Sequence, residues 1–298
     1  MKSKKILVSA LLMLSAIATP ALSKSWTDVD YVGDGMVGHK MDIHVPDDGK
    51  ATHKVIVLIY GSAWFSNNSK GDAFKAYGKE LTNAGFSVVS INHRASTEAH
   101  FPAQINDVKA AIRFIRGNAE KYGFDTSFIG ITGYSSGGHL SSLAGTTSGV
   151  KTKKFGKVTV DIEGNLGSFT NESSAVDAVV DWFGPIDRSR MERCETYKDA
   201  KSPEAVLLGG PSAENPDLVK AMNPMSYIDR KDPMFLVIHG NTDPVVPYCQ
   251  SEFFSRALAD KGRLDTFVTV EKGNHGPITF NASTFRRMVD FFKKQSEK

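Results

Sequence analysis

The sequence predicts an α/β protein in which a mostly parallel central sheet is covered by helices on both faces. Three observations carry this expectation. Strand-like and helix-like segments alternate along the chain, with no internal repeat and no low-complexity linker, which is the pattern of successive strand–helix–strand units. The leading strand candidate, Lys54-Val-Ile-Val-Leu-Ile-Tyr60, is a continuous apolar run rich in β-branched residues, as strands buried on both sides require. The chain of 298 residues is long enough for one large core and falls within the range of a single domain.

Taken in order, segments 28–33 and 39–46 form an N-terminal pair ahead of the strand at 54–60. Residues 70–85 read as a helix stopped by Gly85, since glycine tolerates the left-handed turn that ends helices. A strand at 87–92 follows, then an amphipathic helix over 102–122 with Pro102 at its start, where a missing N–H costs no hydrogen bond. Phe128 to Thr132 is a short strand running directly into Gly133 and a helix of small residues over 136–146. Strands at 176–183, 234–239 and 266–270, with helices at 247–261 and 283–294, complete the series. Two long excursions, Gly149 to Ala175 and Gly184 to Asp232, interrupt the rhythm. Holding only short helix candidates, they are expected to be lid or pocket-wall insertions. Residues 24–298 are read as one domain, and ligands of such sheets bind at the carboxyl ends of the strands.

Residues 1–23 read differently. Lys2, Lys4 and Lys5 precede an apolar run from Ile6 to Ala18, and small residues lead to a cleavage point after Ala21-Leu22-Ser23. The run is short for a membrane span, so a cleavable secretory signal is expected, with no cysteine nearby for lipid attachment. The formal charge of +3 reflects 36 basic against 33 acidic residues; cleavage removes three lysines and no acid, leaving a balanced chain. A basic surface for nucleic acid or membrane therefore has no support. Two cysteines, Cys194 and Cys249, lack metal-site spacing, and neither a metal nor a cofactor is expected.

Gly133-Tyr134-Ser135-Ser136-Gly137 matches G-x-S-x-G. The pattern alone is weak, and an ordinary Gly/Ser turn is the competing reading. Its setting is more specific: a β-branched strand on one side and a small-residue helix on the other, as a nucleophile elbow of the α/β-hydrolase fold requires. A serine hydroxyl needs a base, and the base needs a third group to fix its tautomer. In this fold the partners follow in the order serine, acid, histidine. Downstream of Ser135 stand His139, His239 and His275. His139 lies one helical turn past the serine and His239 is still within a strand. His275, in the loop between the last strand and the last helix, has the right address. Asp243 follows the penultimate strand and is read as the acid, with Asp187 after the preceding strand as its competitor. The Ser136 N–H, at the start of a helix, is placed to stabilise an oxyanion. Backbone groups of Gly61 or Ser62, in the loop after the first central strand, are the other donors expected. Trp64 and Trp182 are candidates for lining the substrate pocket, with packing beneath the loops as the alternative.

These residues together resemble the bacterial α/β-hydrolase-fold carbohydrate esterases, the group with feruloyl and acetylxylan esterase-like members. The resemblance runs through Tyr60-Gly-Ser-Ala-Trp64, Asn92-His-Arg94, Phe101-Pro-Ala-Gln-Ile-Asn-Asp107 and Gly133-Tyr-Ser-Ser-Gly-Gly-His-Leu140. It continues through Asp177-Ala-Val-Val-Asp-Trp-Phe-Gly-Pro185, His239-Gly-Asn-Thr-Asp-Pro-Val-Val-Pro247 and Gly273-Asn-His-Gly276. It implies a serine carboxylic ester hydrolase acting through an acyl-enzyme on a small ester or an acylated oligosaccharide. Relatives usually carry His-Gly-Gly-Gly-Trp where this chain has Tyr60-Gly-Ser-Ala-Trp64. Two glycines have thus become Ser62 and Ala63, residues that resist positive φ. A peptidase of the same fold and a hydrolase-like binding protein without activity are the alternatives. Such peptidases usually carry an extra β-propeller domain, which is not read here, and the intact Ser135, Asp243 and His275 speak against the inactive form.

Export would place Cys194 and Cys249 in an oxidising compartment. A bridge between them would tie the second excursion to the loop of the acid, and for a loop of this length it would be worth about 4 kcal/mol. The competing reading is two unrelated thiols.

Overall fold

Apolar runs too short for helices and flanked by turn residues become the middle of a sheet, and the chain order sets the rest. The computed structural model describes residues 23–189 and 202–298. Among these, ten strands form: β1 (Ser23–Asp30), β2 (Lys40–Pro46), β3 (His53–Ile59), β4 (Ser87–Ile91), β5 (Phe124–Tyr134), β6 (Thr152–Phe155), β7 (Val158–Asp161), β8 (Ala178–Trp182), β9 (Met234–Gly240) and β10 (Leu264–Val270). Eight make one sheet in the order β1-β2-β4-β3-β5-β8-β9-β10. Pairing is parallel from β4 through β10, while β2 runs antiparallel to both β1 and β4. The mostly parallel sheet expected from the continuous apolar runs is therefore present.

The helices are α1 (Lys70–Ala73), α2 (Lys79–Asn83), α3 (Ala103–Gly117), α4 (Ala119–Tyr122), α5 (Ser136–Thr146), α6 (Pro203–Leu208), α7 (Pro216–Met222), α8 (Cys249–Asp260) and α9 (Ala282–Ser296). Strand β3 shows why both faces need cover. Its Val55, Val57 and Ile59 point into one core with Ile105, Ile112, Leu140 and Phe254, from α3, α5 and α8. Its Ile56 and Leu58 point into the other with Tyr77, Leu81, Met288 and Phe292, from the α1–α2 region and α9. Successive side chains of a strand face opposite ways, so a strand apolar at every position must have helices on each side.

Three local expectations change. The helix over 70–85 is α1 and α2 joined by a π turn at Phe74–Gly78. The wider turn accommodates the Phe74 ring, which stacks on His44 at 3.7 Å and lies where a Cβ on Gly78 would sit 2.3 Å away. The helix over 102–122 breaks between α3 and α4, where both the backbone and the side-chain nitrogen of Asn118 donate to the Phe114 carbonyl. This is the side-chain competition that makes asparagine a poor helix interior residue. The first excursion holds a hairpin, β6–β7, where short helices were expected. The second holds short helices, α6 and α7, as anticipated.

Buried charges fasten the first excursion to the body. Lys109 and Arg113 of α3, both without solvent exposure, converge on Glu163 at 3.1 and 2.5 Å. Ser174 donates to the same carboxylate at 2.7 Å. Near the N-terminal strands, His39 lies between two carboxylates, 2.8 Å from Asp34 and 3.2 Å from Asp107, and Arg94 pairs with Asp107 at 2.6 Å.

Candidate active site

Strand β5 ends at Tyr134 and α5 begins at Ser136, so Ser135 alone makes the turn between them. It does so at φ 55° and ψ −126°. A serine in this region costs about 1–3 kcal/mol and persists only where its surroundings impose it. Here they do: the Ser135 N–H donates to the Trp182 carbonyl at 2.9 Å, and its own carbonyl accepts from the His139 N–H at 3.1 Å. The flanking glycines allow the backbones to meet. A Cβ on Gly137 would lie 2.3 Å from the Ile59 carbonyl oxygen, and one on Gly133 would lie 2.4 Å from that of Gly137.

The candidate acid and the candidate base come from adjacent loops at the same end of the sheet. Asp243 follows β9 and His275 follows β10, and the loops are joined along their length. Asn241 N–H donates to Val270 O, Thr242 donates to Gly273 O through both its N–H and its hydroxyl, and Lys272 N–H donates to the Asn241 side chain. Gly240 and Gly273 pack so tightly that a Cβ on Gly240 would lie 2.3 Å from Gly273 carbonyl carbon. The result is a 2.7 Å contact between His275 Nδ1 and Asp243 Oδ2. With Nδ1 so engaged, Nε2 is the ring nitrogen left to accept a proton. The His275 side chain keeps 18% of its exposure whereas that of Asp243 has none.

Asp243 is held as a carboxylate. Burial would raise its pKa, but contacts from His239 and His275 and the amides of Val245 and Val246 outweigh this and keep it well below the usual carboxylate range. The sequence places His239 within a strand rather than at a base's position, and it is indeed the last residue but one of β9. Sequence reasoning missed its actual place: Nε2 is 3.3 Å from Asp243 Oδ2, on a ring that is fully buried, with Nδ1 2.7 Å from Ser251 Oγ. Asp187, the competing acid, instead accepts from the N–H and hydroxyl of Ser189. His139 is buried behind the elbow with Nε2 on the Met222 carbonyl at 2.8 Å.

Phe183 was also missed. It adopts φ 42°, follows the Trp182 carbonyl that holds Ser135, and sets its ring 4.5 Å from that of His275. It thereby connects the Ser135 turn to His275, a contact no local sequence signal announces. Asp181, on β8 opposite Gly133, accepts from Gly184 N–H at 2.9 Å, and burial pushes its carboxyl up to about 7 despite that bond.

Of the two readings open for Trp64 and Trp182, pocket lining or packing beneath the loops, the structure shows the second. Trp182 is completely buried, stacks on Tyr77 and meets Phe280 edge-on at 5.1 Å. Trp64 is 1% exposed and packs edge-on against His139. Large apolar side chains that do face solvent include Phe65, Val245 and Ile278, exposed by 43%, 43% and 53%. These lie on the loops after β3, β9 and β10, the loops that carry the oxyanion candidates, Asp243 and His275.

The loop after β3 answers the question posed by its lost glycines. Positive φ falls on Ala63 (51°) and Trp64 (61°), and not on Ser62. The strain at Ala63 is supported by a turn in which Phe65 N–H donates to Ser62 O, and by Ser96 N–H donating to Trp64 O. Gly61 abuts the nucleophile, since a Cβ on it would lie 2.7 Å from Ser135 Cβ. The Ser62 N–H, expected to be an oxyanion donor, donates to Ser136 Oγ at 2.9 Å. Cys249 opens α8 and is not a free thiol; Cys194 lies outside the described residues, so the proposed bridge stays an expectation. Among the described residues no cluster of three or more His, Cys, Asp or Glu is arranged to hold a metal ion.

Known proteins share this fold. A bifunctional GH43-CE protein of Bacteroides eggerthii superimposes with a TM-score of 0.90 at 60% identity, covering 91% of this chain and 35% of that one. A truncated carbohydrate esterase from gut microbiota gives 0.91 at 52% identity, covering 94% and 99%. Esterase B from Lactobacillus rhamnosis, at 20% identity and a TM-score of 0.71, shares the fold. Among curated relatives, esterase LipQ of Mycobacterium tuberculosis is 32% identical over 79% of this chain. The chain spans about half the length of the curated relatives it matches, 52% in that case. Residues 41–258, from β2 to near the end of α8, match the BD-FAE family, and with the strained serine turn and the paired Asp243 and His275 in place, the chain belongs to that family of α/β-hydrolase fold.

Proposed function

We propose that this chain is an exported serine carboxylic ester hydrolase that removes acetyl or feruloyl groups from plant polysaccharides through an acyl-enzyme. The observation that carries the proposal is the 2.7 Å contact between Asp243 and His275 at the strand ends that also present the strained Ser135 turn. In this mechanism Ser135 Oγ bonds to the ester carbonyl carbon while its proton passes to His275 Nε2. The carbonyl π pair moves onto oxygen, and Asp243 stabilises the imidazolium. Collapse breaks the bond to the alcohol, which leaves with the proton from His275. Water then repeats the sequence on the acyl-enzyme and releases the acid. The buried Asp243 carboxylate is suited to its part because it is ionised over the whole working range.

The similarity to two carbohydrate esterases at 60% and 52% identity supports the substrate class. Exposed Phe65, Val245 and Ile278 around the catalytic loops favour an acyl group with an apolar body, such as a feruloyl ring. The Lys, Asp, Glu and Asn of the two excursions are unlike the broad apolar face a lipase offers an oil surface. Residues 1–23 support export.

A fluorophosphonate should label Ser135, with labelling lost in Ser135→Ala, and rates should favour feruloyl and acetyl sugars over palmitoyl esters. No labelling and no ester turnover would favour the inactive binding protein; faster palmitoyl cleavage would refute the substrate class.

A further inference from the structure

Resting on the ester-hydrolase reading above, we infer that the Ser136 side chain is a catalytic oxyanion donor, taking the place of the Ser62 amide. A backbone N–H has a single proton, and that of Ser62 is committed to Ser136 Oγ at 2.9 Å. Ser62 is not free to turn it elsewhere. Its carbonyl accepts from Phe65 N–H at 2.9 Å, its hydroxyl accepts from Ser66 N–H at 3.3 Å, and the next two residues hold left-handed conformations.

The Ser136 hydroxyl has one proton and two lone pairs. The bond from Ser62 uses a lone pair, and the proton has no acceptor among the described residues. Leaving a buried donor unsatisfied is unfavourable by about 1–3 kcal/mol, and the acceptor that would relieve it is the ester carbonyl oxygen.

Position agrees with this role. Ser136 directly follows the nucleophile and opens α5, whose first N–H groups have no partner within the helix. Its N–H and its Oγ–H thus belong to the residue that directly follows Ser135 in the chain. As that oxygen bonds to the carbonyl carbon, charge grows on the carbonyl oxygen, and both donors strengthen toward it. Donation from Ser62 polarises the hydroxyl and makes it a better donor, since linked hydrogen bonds reinforce one another. Ser62 then acts at one remove, as a positioning residue.

The test uses Ser136→Ala and Ser136→Thr in the full chain, with kcat, KM, melting temperature and affinity for an alkyl boronic acid measured for each. The boronic acid forms a tetrahedral adduct with Ser135 whose oxygen occupies the oxyanion position. Ser136→Ala should lower kcat on the order of 100-fold with KM nearly unchanged, and weaken the boronic acid by a similar factor. Ser136→Thr, which keeps the hydroxyl, should recover most of both. Unaltered kcat and boronic acid affinity in Ser136→Ala would overturn the inference while the esterase reading stood. A loss of kcat matched by a fall in melting temperature, with boronic acid affinity intact, would also overturn it. Wild-type protein that neither turns over esters nor is labelled by a fluorophosphonate would overturn the reading and the inference together.

Discussion

Replacing Gly61 by alanine tests whether the nucleophile is positioned by close packing of the loop after β3. The glycine does not have positive φ, so alanine is conformationally tolerated and the effect is steric. Its Cβ would lie 2.7 Å from Ser135 Cβ, from Tyr134 Cδ2 and from the Tyr134 carbonyl oxygen. Only the tyrosine ring is free to swing. The other two atoms belong to a turn already held by Trp182 O and His139 N–H. Ordinary contact begins near 3.4 Å, so the loop and the elbow must separate by about 0.7 Å. A misplacement of about 1 Å costs on the order of 100-fold in rate, and overpacking of this kind costs about 1–3 kcal/mol in stability. The expected result is a 10- to 100-fold loss of kcat with little change in KM. The assay is initial rates on an aryl acetate, normalised to sites titrated by a fluorophosphonate, with the melting temperature alongside. Gly71→Ala is the control, because its Cβ meets nothing within 4 Å. A Gly61→Ala enzyme with wild-type kcat would refute the reasoning, for it would show that the loop recedes without disturbing Ser135.

Other perturbations address the groups around this core. His239→Phe removes the contact 3.3 Å from Asp243 and leaves burial less opposed; kcat should fall about tenfold, less than for Asp243→Ala. Because the folded pKa of Asp243 is depressed, it contributes stability above its unfolded value, lost as pH falls through the folded one. Acid unfolding of His239→Phe should therefore begin at higher pH than in wild type, and an unchanged acid midpoint would count against the contact. His39 is the opposite case: burial would lower its pKa, but the carboxylates of Asp107 and Asp34 raise it. Its stabilisation is complete below about pH 6.5 and is lost as pH rises through the folded value, so melting curves of His39→Gln should lack that decline. Glu163→Gln should cost about 3 kcal/mol in urea titrations, since it leaves Lys109 and Arg113 buried without a counter-charge; a loss below 1 kcal/mol would mean that water reaches them.

Some features were readable because their cause is local. Ser135 follows from glycines on either side and from a strand that must turn sharply into a helix, and α5 runs over the residues the sequence marked, Ser136 to Thr146. The parallel sheet follows from strands apolar at every position. His275 and Asp243 follow from loop order, because in a parallel sheet the segments after successive strands share one end. Other features have no such local cause. The strands β6 and β7, Thr-Lys-Lys-Phe and Val-Thr-Val-Asp, are short and almost wholly unburied, with Val160 alone buried among their residues, so neither carries the apolar run by which the central strands were recognised. Trp64 and Trp182 are large aromatics near the site, yet which way they face is set by the direction of their backbones against the rest of the fold.

What the amino-acid order determined alone was the alternation of elements, the turn at Ser135 and the identity of the residues available for the triad. The tertiary structure decided the contacts that make them a site: His239 against Asp243, Phe183 between the nucleophile's turn and His275, and Ser62 committed to Ser136. The members of these pairs stand 4, 92 and 74 positions apart in the chain. Residues 4 apart read as helix neighbours unless the turn after β9 is known, and the other two pairs meet only because parallel strands bring distant loops to one edge. Burial completes the difference: a hydroxyl or carboxylate acquires its special character from the water it has lost, and that is a property of the folded surroundings.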